Sequence, residues 1–175
     1  MKAINNWNDI QAAGSNERPG AGGYVCIIRK VTDDPEKEQL RIEYDIAEGP
    51  FKNYAADTAE RSGWWPLDTV KSYKAKALPF FKAFTDAVEA TNAGYKWNFD
   101  ERTLVGKGVG IVLREEEYYN RSGQLKTRLK PYEFMAVARI RGGDFTVPER
   151  KVADQAQQTT SPFTDLGEDD GTLPF

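Results

Sequence analysis

Pro79-Phe-Phe-Lys-Ala-Phe-Thr-Asp-Ala-Val-Glu-Ala-Thr-Asn-Ala-Gly94 is an amphipathic run with a beginning and an end. Phe80, Phe81, Phe84, Ala87 and Val88 fall on one side, and Lys82, Asp86 and Glu89 fall on the other. That spacing predicts a helix whose apolar stripe faces a core. Pro79 suits the first turn, where its missing N–H would have had no helical partner. Asn92-Ala-Gly94 closes the helix. Phe80, Phe81 and Phe84 are expected in the core, and Trp97 beyond them in the core or covering the helix.

What flanks this helix decides the fold. Before it, Tyr24-Val-Cys-Ile-Ile-Arg-Lys-Val31 is β-branched and apolar, which predicts a strand over 23–31. Thr32-Asp-Asp-Pro-Glu-Lys37 turns the chain. Leu40, Ile42, Tyr44 and Ile46 then alternate with Arg41, Glu43 and Asp45, the period-two pattern of a half-buried strand. Glu48-Gly-Pro50 makes another turn, and Phe51-Lys-Asn-Tyr-Ala-Ala56 is expected to be a third strand. After the helix, Leu104 to Leu113 predicts a strand interrupted by Gly106, Gly108 and Gly110, which suit a bend or bulge. Glu115 to Tyr119 extends it to the turn Asn120-Arg-Ser-Gly123. The chain returns through Gln124 to Lys130, and a last strand is expected over Tyr132 to Ile140.

Three strands, a helix, then two strands or one long broken hairpin is the order of the OB-fold. The expectation is therefore a mainly β protein: an OB-fold-like, five-stranded Greek-key barrel with a helix between strands three and four, followed by a disordered acidic tail. Residues 1–21 form a Gly-rich lead-in, 22–150 the barrel domain, and 151–175 the tail. The lead-in lacks the Lys-Ser/Thr ending and the preceding strand of a phosphate loop.

Composition narrows the chemistry. The chain of 175 residues has no histidine and one cysteine, Cys26. The usual zinc sites and the His-dependent nucleophile systems are thereby excluded. No acidic cluster demands magnesium, so neither a metal nor a cofactor is expected, and a non-enzymatic role is favoured over a carboxylate-metal nuclease. Cys26 sits in an apolar run and reads as a small buried hydrophobe. No apolar run approaches the ~20 residues of a membrane span. Met1 to Asp9 lacks a signal-peptide apolar segment, so the bacterial host cytoplasm is the expected compartment.

The net charge of −3 averages two unlike parts. Residues 1–150 stand near +1, whereas 151–175 hold one lysine and five acids, or −4. A near-neutral body argues against purely electrostatic duplex binding and leaves room for a local basic groove. The tail begins with a polar stretch around Gln155, Gln157, Gln158 and Ser161. It ends Asp169-Asp-Gly-Thr-Leu-Pro-Phe175, acids leading into an apolar tip.

Several stretches carry a family resemblance: Leu40-Arg-Ile-Glu-Tyr-Asp-Ile-Ala-Glu-Gly49, Ser72-Tyr-Lys-Ala-Lys-Ala-Leu-Pro-Phe-Phe-Lys82, Gly94-Tyr-Lys-Trp97 and Ile140-Arg-Gly-Gly-Asp-Phe-Thr-Val-Pro148. Together they resemble phage and prophage single-stranded DNA-binding proteins of Gram-positive hosts, of the OB-fold type. The ending resembles the C-terminal tip of bacterial single-stranded DNA-binding proteins, although Gly171 and Thr172 interrupt the acidic run and Leu173 stands where Ile is common. The resemblance implies a protein that coats single-stranded DNA without strong sequence preference. It also implies recruitment of replication, recombination and repair enzymes through Asp169, Asp170, Leu173, Pro174 and Phe175. A phage adaptor that docks to a host enzyme without touching DNA is the alternative.

Sequence-tolerant binding of a single strand needs cations for phosphates and rings for bases. Two segments interleave them. One offers Lys52, Tyr54, Arg61, Trp64, Trp65, Lys71, Tyr73 and Lys74. The other offers Tyr118, Tyr119, Arg121, Lys126, Arg128 and Lys130 around the predicted hairpin. Trp64 and Trp65 are adjacent, so one is expected to be buried and the other free to stack a base. The first turn, Asp33 to Glu38, is acidic and would repel phosphates, which sends the expected path along the other side. No heptad pattern marks a coiled coil, and a homo-oligomer is left open.

Overall fold

The computed structural model describes residues 18–154. The sequence before Arg18, the linker from Gln155 and the tip Asp169 to Phe175 lie outside the described residues. The described chain is mainly β. Five strands form one antiparallel sheet: β1 (Gly22–Asp34), β2 (Gln39–Ile46), β3 (Asp68–Ser72), β4 (Gly108–Tyr119) and β5 (Leu125–Met135). Their order across the sheet is β3-β2-β1-β4-β5. Three helices, α1 (Tyr54–Ser62), α2 (Leu78–Thr91) and α3 (Val137–Arg141), cover it. None of the described helices is long and apolar enough to cross a membrane.

The sheet curls around its core. Cys26 and Ile28 of β1, Leu40, Ile42, Tyr44 and Ile46 of β2, and Val109, Ile111 and Leu113 of β4 line the inner face. Phe81, Phe84 and Val88 of α2 close it, as the helical spacing predicts. The curl brings the two outer strands together: Lys71 Nζ of β3 stands 3.9 Å from the centroid of Phe134 in β5. Side chains alone bridge this seam, since β3 is hydrogen-bonded only to β2 and β5 only to β4.

A second, smaller cluster lies on the outer face, where Val112, Met135 and Ile140 pack with Val25 and Phe145. Here α3 presses against the sheet so closely that a Cβ on Gly110 would stand 2.6 Å from Ile140 Cγ1. Arg141 of α3 is ion-paired with Glu48 beyond β2.

Four expectations need correction. The third strand is not residues 51–56. That stretch leads into α1, and β3 lies further on. The cause is Asp45, which alternation places towards solvent but which is fully buried. Its Oδ1 accepts from the Ala55 N–H at 2.8 Å and its Oδ2 from the Ala56 N–H at 3.0 Å, so it caps a helix ten residues away. Phe80 is 51% exposed, because α2 turns only Phe81 and Phe84 fully inward. Leu104 is buried in a 3-10 turn (Glu101–Leu104), and the following strand starts at Gly108. The last strand begins earlier than expected and stops at Met135. Residues 137–141 become α3, with the Val137 N–H donating to Thr91 Oγ1 at 3.1 Å.

Candidate nucleic-acid interface

β4 and β5 run on together past the point where β1 begins, and form a two-stranded arm. Gly22 of β1 pairs with Leu113, and six further pairs follow, from Arg114 opposite Lys130 to Tyr119 opposite Leu125. Asn120 locks the tip. Its Oδ1 accepts from the N–H groups of Ser122 at 3.0 Å and Gln124 at 2.9 Å, and Gly123 takes the left-handed φ of +74° that the turn requires.

Paired residues share a face and successive residues alternate. The register therefore sorts the arm's side chains. Arg114, Glu116 and Tyr118 of β4 lie on one face with Lys126, Arg128 and Lys130 of β5. Four cations and one acid thus form a ladder, and two rings are held within it. The Arg128 guanidinium is 4.9 Å from the Tyr118 centroid, and that of Arg114 is 5.1 Å from the Tyr132 centroid. Glu116 is the hub, 2.7 Å from Arg114 Nη2 and 3.7 Å from Arg128 Nη2. Its carboxylate fixes two guanidinium groups and leaves Lys126 and Lys130 without an acidic partner among the described residues.

The other two acids of this hairpin go to the opposite face. Glu115 and Glu117 meet Arg150 there at 2.6 and 3.6 Å. Lys151 lies along β4 as a parallel bridge to Glu116, accepting from the Glu117 N–H at 2.8 Å and donating to the Glu115 carbonyl at 2.9 Å. The triplet Glu115-Glu116-Glu117 is thereby divided. Two of its carboxylates share Arg150 away from the ladder, and one organises it.

The first predicted segment is split by the fold. Lys52, Arg61 and Lys74 are exposed, and Arg61 Nε donates to the Asp57 carbonyl at 3.2 Å. Trp64 is 63% exposed, just beyond Gly63, which ends α1 in the left-handed conformation. Trp65 is half-buried against the core, and its Nε1–H donates to the carbonyls of Tyr44 and Leu67. Tyr54 and Tyr73 also pack on the core, and the Tyr73 hydroxyl donates to Asp33 Oδ1 at 2.9 Å. Lys71 faces inward because its strand partner is Leu40. Burial lowers its pKa to about 8.

In the second segment, Tyr118, Lys126, Arg128 and Lys130 come together on the ladder. Tyr119 lies on the other face, and Arg121 sits at the tip. Arg114 and Tyr132 were missed. Arg114 carries a signal in the sequence, because Arg114, Glu116 and Tyr118 alternate in the manner of Lys126, Arg128 and Lys130. The acidic turn Asp33 to Glu38 is at the far end of β1 from the arm, and there Asp34 pairs with Lys37 at 3.4 Å. In comparisons with known proteins, no family model matches the chain and no curated protein sequence matches it.

Proposed function

We propose that this chain binds single-stranded DNA non-enzymatically on an OB-fold-like barrel, and that the β4–β5 arm is its principal contact. The observation that carries the reading is the ladder of Arg114, Lys126, Arg128 and Lys130 interleaved with Tyr118 and Tyr132 on one face of a two-stranded ribbon. Phosphates are met by the cations and bases by the rings. Each stacked base contributes about 1–3 kcal/mol whatever its identity, so a strand of any sequence is accepted. Glu116 keeps two of the guanidinium groups ordered before the strand arrives, which reduces the entropy lost on binding.

The barrel reading is supported by connectivity. The strand order β3-β2-β1-β4-β5, a helix between β3 and β4, and the meeting of β3 with β5 are the arrangement of a Greek-key barrel of this type with its last seam unpaired. In that fold the hairpin between strands four and five flanks the nucleic-acid face. Trp64, exposed after α1, supplies a further ring. Recruitment of replication, recombination or repair enzymes through Asp169, Asp170, Leu173, Pro174 and Phe175 is part of the proposal, and it rests on the resemblance of the tail.

The test is titration of the full chain with unstructured oligo-dT, read by tryptophan fluorescence and by anisotropy of a labelled strand at several salt concentrations. With three to four ladder cations engaged, log affinity should fall against log salt with a slope of about −2 to −3. Silence in both signals, at low salt, would overturn the reading.

A further inference from the structure

The end of the molecule remote from the arm holds a groove of about 1030 Å³ between α2, the 97–101 segment and the root of the β1–β2 turn. Its walls are apolar, built from Leu40, Leu78, Phe81 and Trp97. Phe99 stands at its rim, 88% exposed, with its ring tilted 5.9 Å from Trp97. This phenylalanine also has φ +62°, a left-handed backbone that bulky residues rarely adopt. Strain and an uncovered ring at one residue are two separate costs, the combination found where a surface waits for a partner.

The rim is acidic. Asp33, Asp86, Glu89 and Glu101 line it. Lys82 neutralises Asp86 at 2.7 Å and Lys96 neutralises Glu89 at 2.8 Å. Asp33 and Glu101 have no cationic partner among the described residues. The groove therefore suits an apolar side chain accompanied by positive charge.

The chain itself carries such an element at its opposite end. At the arm tip Leu125 is 52% exposed, beside exposed Arg121 and Lys126, which have no acidic partner among the described residues. The two sites are separated by β1, which runs from the arm's root at Gly22 to the groove at Asp33, roughly 40 Å of strand, and the arm adds six pairs beyond it. We infer that the arm tip of one copy docks into the Phe99 groove of the next, Leu125 against the apolar walls and Arg121 towards Asp33 and Glu101. Because tip and groove are different surfaces at opposite ends, the contact is head-to-tail and leaves a free tip and a free groove after every addition. Association therefore runs past a dimer, into a filament or, where the rotation between copies closes, a ring.

The test is sedimentation velocity of the full chain without DNA, over a range of concentration and salt. A failure here leaves the single-strand reading standing, and a failed oligo-dT titration leaves this inference standing. The wild-type protein should grow past a dimer as concentration rises and retreat as salt is added. A groove variant, Phe99→Lys, and a tip variant, Arg121→Ala with Leu125→Ser, should each weaken association by about tenfold or more through loss of an anchor. An equimolar mixture of the two should form a one-to-one dimer and stop, since only one intact tip and one intact groove meet. All three substitutions fall on exposed side chains, and circular dichroism checks each fold. Should either variant misfold, Glu101→Lys and Leu125→Asp replace them. A wild-type chain that is monomeric throughout, one that closes at a dimer, association that both variants retain, or a mixture that stays monomeric would each overturn the inference.

Discussion

The Arg128 guanidinium lies 4.9 Å from the centre of the Tyr118 ring, diagonally across the β4–β5 ladder. On the proposed single-strand reading the pair joins a phosphate contact and a stacking ring in one unit, so the two residues should fail differently. Tyr118→Ala should raise the dissociation constant for oligo-dT about 5- to 150-fold, with little change in salt dependence. Arg128→Ala should weaken binding and also reduce the salt slope by somewhat under one unit, the loss of a single phosphate contact. Anisotropy titrations at four or more salt concentrations separate the two effects.

The adjacent tryptophans should divide in the same way. Trp64→Ala removes an exposed ring, so it should lower DNA affinity and much of the fluorescence quenching while leaving stability within about 0.5 kcal/mol. Trp65→Ala removes a ring packed on the core together with its two hydrogen bonds, and should destabilise by about 3–5 kcal/mol. Urea unfolding of both variants beside the DNA titration tests the division.

Asp45 ties β2 to α1, and it also accepts from the Ile46 N–H at 2.8 Å. Asp45→Ala leaves three backbone N–H groups without that acceptor, and should destabilise by about 2–4 kcal/mol. Amide exchange should show α1 losing protection before β1 and β2.

Lys71 sets a pH dependence with a definite sign. Its folded pKa of about 8 lies below its ordinary 10.5, so between those values the unfolded chain binds the extra proton. Stability contributed by this site therefore rises with pH from about 8 to 10.5, and the penalty is full below 8. Lys71→Met should raise stability at pH 7 by about 1–3 kcal/mol and abolish that part of the rise. The difference between the urea midpoints of wild type and variant, followed from pH 7 to 10.5, isolates the term.

Local pattern carried much of the architecture. β1, β2, the inward stripe of α2 and the Asn120–Gly123 turn all follow from periodicity and turn chemistry within a few residues. α1 did not, because the group that starts it, Asp45, is on a strand that alternation alone would leave facing solvent. The halt of β5 at Met135 was hidden for a similar reason. Residues 137–141 look β-like until Gly110, a neighbour only in space, opens room for Ile140. The candidate interface was legible as composition but not as geometry. Lys71, Tyr73 and Trp65 have the right chemistry and point to the core, whereas Arg114 joins the ladder only through a register that no single segment contains, and Tyr132, unpaired where that register shifts, reaches it through Arg114.

The seam between β3 and β5, bridged by Lys71 over Phe134 rather than by a backbone ladder, also assigns the molecule a direction of breathing. A strand of five residues, hydrogen-bonded along one edge alone, is a short unit to detach. Excursions of the native state would start there, with β3 swinging out as a flap and the β1–β4 region serving as the rigid spine.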